Sequence, residues 1–272
     1  MEKFQLIPFL EIEGIGAASG LVCHDNSLFI ISDNSTLLYH YNLTGKTYEK
    51  IKLFENRPEV LAKKDKPDFE AITLFENKLY IYGSGSTKKR NTRVTFNPET
   101  KEIKEKDISK IYKRLIESIS ITDNDLNIEG VIIKDKIIYF FQRGNGLNAT
   151  NGVFCYDRKS KIVQFKAITL AKINGIEATF TDAILIDDTI YFLAAAENTC
   201  STYDDGEVMG SIIGTIDLKK MELLSSIQIT NKHKFEGLTF YKKTATQIEL
   251  LICEDNDTEE LSSTIYKLVI RH

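Results

Sequence analysis

Five positions in this chain share a chemical character and a setting. They are Ser19, Glu70, Glu129, Thr181 (or its neighbour Asp182) and Glu236, and they fall 51, 59, 52 and 55 residues apart. Each opens an alternating apolar stretch, and Ala71, Gly130 or Gly237 follows each glutamate. If the fold turns them toward one axis, the three carboxylates repel each other. A pair about 5 Å apart, at an effective dielectric of about 20, costs roughly 3 kcal/mol. Such a group either raises its pKa values or holds a cation. Ligands that are all oxygen, carboxylate and hydroxyl together, suit a hard ion, Ca²⁺ ahead of Mg²⁺. The alternative is that each glutamate accepts main-chain N–H groups where a repeat begins.

A second set lies where the following apolar run ends: Asp33, Ser84, Arg143, Glu197, and Glu254 with Asp255. In this set Asp33, Glu197, and Glu254 or its neighbour Asp255 are candidates to position or deprotonate a water, and Arg143 to stabilise developing charge. Arginine pairs bidentately with phosphate, which makes Arg90, Arg93 and Arg143 candidate ligands for a phosphate-bearing substrate. Lys88 and Lys89 strengthen that basic stretch. The alternatives are solvated loop residues for the cations and surface acids for the carboxylates. Glu177, in GIEATFTDA, either supplements the ring or caps a strand.

The elements that must position these groups are read from the repeat itself. Five segments, opening at Ser19, Phe69, Ile128, Thr181 and Phe235, each give an apolar run, a short polar turn and a run of Ile, Leu, Tyr and Phe. Such runs bounded by Asn, Asp and Gly signal strand, turn, strand. A third strand follows in every repeat (LLYHYNL, RVTFNPE, GVFCYDR, IIGTIDL, TIYKLVI), and a fourth in all but the last. The missing strand is available at the N-terminus in KFQLIPFLEI, and pairing the termini closes the ring. The expected fold is therefore all-β, a five-bladed β-propeller over residues 1–272 as one domain. First strands line the channel, and the antiparallel second strands end beside their starts, so both residue sets share one face. One interruption carries Ile108, Tyr112, Leu115, Ile116 and Ile119 at helical spacing, which predicts a short helical insertion around 108–120. It would serve as a packed rim element or as a moving gate.

Two criteria leave the fourth ring member open. Counting back from the second-strand aromatic selects Thr181, while aligning the following alanine with Ala71 selects Asp182.

At these residues the chain resembles the calcium-activated nucleotidases, or soluble apyrases. The resemblance rests on Ala18-Ser19-Gly20-Leu21-Val22 with Ser32-Asp33-Asn34-Ser35-Thr36, on Ile128-Glu129-Gly130-Val131 with Phe140-Phe141-Gln142-Arg143, and on Lys234-Phe235-Glu236-Gly237. It implies a five-bladed propeller with one axial Ca²⁺ held by Ser19, Glu70, Glu129, Thr181 and Glu236, and hydrolysis of a nucleotide. The chain departs from that pattern in having no tryptophan and a more basic second repeat, YGSGSTKKRNTR. The expectation is a divergent bacterial relative with its own substrate.

Composition narrows the rest. A net charge of −4 offers no basic face for nucleic acid. The acid-bearing N-terminus is not a secretion signal and no stretch approaches a membrane span, which predicts a cytoplasmic protein with no membrane partner. Cys23, Cys155, Cys200 and Cys253 are too far apart for a zinc knuckle, and His24, His40, His233 and His272 form no metal motif. Three functions fit: a Ca²⁺-dependent hydrolase of a small anionic, phosphate-bearing ligand such as a nucleotide, a lactonase or phosphoesterase using the same ion, or a non-enzymatic propeller with structural calcium that binds a ligand or protein.

Overall fold

The computed structural model describes residues 4–59, 61–62, 64–146, 150–199, 206–255 and 261–271. Cys200 and His272 lie outside them. Strand β1 (Phe4–Glu13) precedes blade one, which is β2 (Ala18–His24), β3 (Ser27–Ser32), β4 (Leu37–Asn42) and β5 (Thr47–Lys52). Blade two is β6 (Phe69–Phe75), β7 (Lys78–Gly83), β8 (Thr92–Phe96) and β9 (Ile103–Asp107), followed by helix α1 (Ser109–Ile119). Blade three is β10 (Ile128–Lys134), β11 (Ile137–Gln142), β12 (Gly152–Asp157) and β13 (Val163–Ala167). A small hairpin, β14 (Lys172–Ile173) and β15 (Ile176–Glu177), leads to blade four: β16 (Thr179–Ile186), β17 (Thr189–Asn198), β18 (Glu207–Asp217) and β19 (Glu222–Thr230). Blade five is β20 (Phe235–Lys243), β21 (Gln247–Glu254) and β22 (Ser262–Arg271), with β1 as its outer strand. The expected five-bladed propeller is the observed one.

Each blade is an antiparallel meander with the strand order of the chain, apart from the last, where β1 pairs with β22 from Phe4 opposite Ile270 to Glu13 opposite Ser262. Pro8 is tolerated there because β1 is an outer edge strand, where a missing N–H breaks no ladder. The inner hairpins turn tightly. Asp25-Asn26 and Glu76-Asn77 both take left-handed backbone, the conformation a two-residue hairpin turn requires at both central residues.

The core is distributed between blades. Five apolar clusters fill the five junctions: Val22 and Phe29 meet Phe69 and Ile81, and Ile132 and Phe141 meet Phe180 and Phe192. The helix joins the junction of blades two and three. Tyr112 and Leu115 are fully buried against Leu126 and Phe140, and the Tyr112 hydroxyl donates to the Gly83 carbonyl at 2.6 Å. This is a packed rim element, held by a core tyrosine.

The five inner strands touch in a closed ring: β2 with β6, β6 with β10, β10 with β16, β16 with β20, and β20 with β2. They approach closely because a glycine or alanine follows four of the five ring positions (Gly20, Ala71, Gly130 and Gly237). A Cβ on Gly130 would lie 2.9 Å from the Ala183 nitrogen and 3.2 Å from the Asp182 backbone. Gly130→Ala must therefore push two inner strands apart. We expect it to lower stability by about 1–3 kcal/mol, read as a lower urea midpoint at unchanged slope.

Candidate metal centre

In all five inner strands the pairing register slips at the same place. The slips fall between Ala18 and Gly20, Phe69 and Ala71, Ile128 and Gly130, Phe180 and Asp182, and Phe235 and Gly237. The skipped residue is Ser19, Glu70, Glu129, Thr181 and Glu236. A β-bulge leaves its extra residue unpaired and re-aims that side chain. The repeated oxygen-bearing position is thus a repeated bulge at the start of each inner strand.

The register also separates Thr181 from Asp182. Thr181 is the bulged residue. Asp182 pairs opposite Leu193 and occupies the small-residue position held elsewhere by Gly20, Ala71, Gly130 and Gly237. Its carboxylate accepts the main-chain N–H groups of Ala183 and Leu238, both at 2.7 Å, and so ties blade four to blade five. Burial pushes its pKa well above the usual carboxylate range, against the pull of those two donors.

The hydroxyl members are tied in the same direction. Ser19 donates to the Phe69 carbonyl at 2.5 Å, and Thr181 donates to the Phe235 carbonyl at 2.6 Å. Each hydroxyl therefore anchors the backbone just before the next blade's ring glutamate, and its oxygen keeps lone pairs for a cation.

The three glutamates differ. Glu129 accepts from Asn127 at 2.7 Å and from Arg143 at 3.2 Å. Glu236 lies 3.0 Å from the Lys234 ammonium and 4.0 Å from Arg143. Glu70 makes no hydrogen bond or ion pair among the described residues. It stands with Asp33 and Asp68 in a group whose carboxylate oxygens lie within 4.8 Å of one another. Burial, then Asp68, Glu129, Glu236 and Asp33, push its pKa well up. Burial also raises Asp33, despite Lys66, and the Asp33 Oδ1 atom is buried without a hydrogen-bond partner. Burial raises Glu129 and Glu236 as well, with Arg143 and Lys234 opposing it.

The second-strand ends divide. Asp33, Ser84, Arg143, Glu197 and Asp255 join the cluster. Arg143 donates to Glu197 as well as Glu129, Lys234 sits 3.4 Å from Asp255, and Ser84 donates to Asp68. Glu254 instead meets the His233 ring at 2.5 Å and accepts from the Tyr266 hydroxyl at 3.3 Å. Of the expected phosphate ligands, Arg90 is buried, donating at 2.7 Å to both Asp68 and Ser86. Arg93 lies over the Tyr80 ring on the β7–β8 ladder, away from the cluster. Glu177 is exposed on β15.

Sequence reasoning missed Lys66, Asp68, Asn127 and Lys234, all buried. The last three stand two residues before a ring glutamate. Alternate residues of an extended chain share a face, so this signal was available. Lys66 had none: it arrives on the long connection between blades and bridges Asp33 and Asp68. The cluster sets seven carboxylates (Asp33, Asp68, Glu70, Glu129, Glu197, Glu236, Asp255) against four cations (Lys66, Arg90, Arg143, Lys234) among the described residues.

The sequence profile of a family of unknown function (DUF6929) matches residues 14–270, the propeller apart from its closing strand β1 and the last residue of β22. The chain belongs to this family. The expected kinship with the calcium-activated nucleotidases is not supported; the shared five-bladed fold is what remains of it. A search of curated proteins finds no match. Among solved structures, this family member is similar to an exo-1,5-alpha-L-arabinanase from a bovine ruminal metagenomic library (TM-score 0.57, 11% identity, 96% of this chain and 98% of that one). It is also similar to Myxococcus xanthus glutaminyl cyclase (TM-score 0.55, 11% identity, 98% and 97% covered) and to a luciferin-regenerating enzyme (TM-score 0.54, 10% identity, 97% and 95% covered). At such identities the likeness is one of fold. Among the described residues no helix is long and apolar enough to cross a membrane.

Proposed function

We propose that this protein binds a divalent cation, Ca²⁺ ahead of Mg²⁺, at the mouth of its propeller axis and uses that face to hold a small ligand. The observation that supports it is the fivefold bulge, which aims two hydroxyls and three carboxylates inward and leaves Glu70 without a hydrogen bond or ion pair among the described residues. The residues present fit such an ion: the donors are all oxygen, acids outnumber cations, and Asp33 Oδ1 is a buried acceptor with nothing to accept. Glu70, Asp33 and Asp68 would hold the ion, with Ser19, Glu129, Thr181 and Glu236 completing the oxygen surround. A bound divalent ion would neutralise the excess charge and polarise an oxygen of a bound ligand.

A second reading, metal-assisted hydrolysis, is favoured by Asp33, whose free carboxylate oxygen is suited to accept a proton from a bound water. A phosphate-bearing substrate draws less support. Arg143 already serves Glu129 and Glu197, Arg90 serves Asp68, and Arg93 lies elsewhere.

The test is a calcium titration followed by melting temperature. Ca²⁺ at about 100 times its dissociation constant adds about 2.7 kcal/mol and so several degrees. Glu70→Gln is expected to melt higher than wild type in EDTA, because it relieves repulsion from Asp68, Glu129, Glu236 and Asp33, and to lose the calcium response. A melting temperature indifferent to both Ca²⁺ and EDTA would sink the proposal. If Ca²⁺ stabilises and no ester or phosphoester panel is cleaved, only the hydrolase reading falls.

A further inference from the structure

Beside the ring, between blades three and four, a cleft of about 430 Å³ opens, within the usual size of small-molecule sites. Its floor is built and rigid. The Asn151 side chain donates to the Ile168 carbonyl at 2.8 Å and accepts the Phe180 N–H at 2.9 Å, which locks blade three to blade four. Gly144 takes left-handed backbone (φ +59°) and passes so close to Asn151 that a Cβ would lie 2.2 Å from its nitrogen. The floor charges are mutually satisfied: Glu197 accepts from Arg143 with one oxygen and from the Gly206 N–H, at 2.7 Å, with the other.

What remains open to a ligand is different in kind. Thr150, Thr169 and Thr179 line the cleft, and their hydroxyls make no hydrogen bond to the described residues. Each can both donate and accept. Asn145, whose amide oxygen accepts from Asn127 at 3.2 Å, borders the same space, and Ile176 on the small hairpin gives one apolar wall. A phosphate or carboxylate group is disfavoured, because Glu177 and Glu197 outnumber Arg143, whose guanidinium is already shared among acids.

We propose that this cleft is a binding site for a neutral sugar. Hydroxyls that donate and accept match side chains that do both, and a C–H face of the ring would pack on Ile176. The inference does not depend on the cation: the residues that carry it lie outside the ring of bulges.

The experiment titrates the full chain with a panel of neutral pentoses, hexoses and inositol, and with inorganic phosphate and AMP as anionic probes, once in EDTA and once in Ca²⁺. Binding is read by saturation-transfer NMR and by shifts of the Ile176 methyl signals. At least one neutral sugar is expected to bind at millimolar concentration and to shift Ile176. Thr169→Val with Thr179→Val keeps the volume and removes the hydroxyls, and should weaken that sugar roughly tenfold or more. Thr150→Val, which removes a single hydroxyl, is the milder variant and should weaken it in the same direction. The inference is overturned if no neutral sugar binds, if phosphate or AMP alone shifts Ile176, or if neither valine variant weakens the sugar. The calcium melting response of the same samples reports separately on the cation proposal.

Discussion

Arg143→Met is expected to destabilise the protein by about 3–5 kcal/mol, the largest single-residue effect in the propeller. Removing one partner of a buried ion pair leaves the other charge without compensation. Arg143 is 6% exposed and faces three carboxylates: Glu129 at 3.2 Å, Glu236 at 4.0 Å, and Glu197 in direct contact. Methionine fills much of the space and answers none of that charge. Lysine also falls short, because one ammonium cannot bridge Glu129 and Glu197 as a planar guanidinium does. Two measurements check this. The urea midpoint of Arg143→Met should fall far below that of Gly130→Ala, and adding Glu197→Gln should recover part of the loss. Full additivity of the two changes would mean that Arg143 acts by packing alone. A sharper consequence concerns calcium. Without Arg143 the ring carries more net negative charge, so whatever stability the variant keeps should depend more steeply on Ca²⁺ than in wild type.

The propeller was legible in the sequence because its signals are local and repeated. Turn pairs such as Asp25-Asn26 and Glu76-Asn77 demand a tight hairpin, and the strands between them alternate. The N-terminal closing strand followed from counting, since one repeat lacked its fourth strand. The ring position was legible as chemistry but not as geometry. No residue type announces a β-bulge, so the choice between Thr181 and Asp182 waited on the pairing register. The counter-charges were the least legible part. Lys66 reaches Asp33 and Asp68 from a connection with no repeat partner, and Arg90 looks like a surface base in KKR yet is buried on Asp68. The sequence shows which charges exist. Their pairing depends on which loops fold inward, and that is decided by tertiary packing.

The same pairing predicts how stability depends on pH. Asp33, Glu70, Glu129, Asp182 and Glu236 all have pKa values raised, in each case first by burial. Carboxylates in the unfolded chain titrate near pH ~4. Between that pH and the raised folded values, the native state holds protons that the unfolded state has released. Stability therefore falls as pH rises through that window, by about 1.4 kcal/mol per pH unit for each carboxylate still protonated in the fold. The cations do not offset this. Burial pulls Lys66 and Lys234 down, but the carboxylates around them hold both above the ordinary lysine value, so their contribution is fully present up to pH ~10 and constant across the window. In EDTA the melting temperature is thus expected to be higher near pH 5 than near pH 8. Saturating Ca²⁺ should flatten or reverse the slope, because the ion binds the ring only after the protons leave. Glu70→Gln should reduce the slope in EDTA and abolish its dependence on Ca²⁺. A metal-free protein whose melting temperature climbs steadily from pH 5 to pH 8 would show that buried cations already neutralise the ring, leaving no charge for an ion to answer.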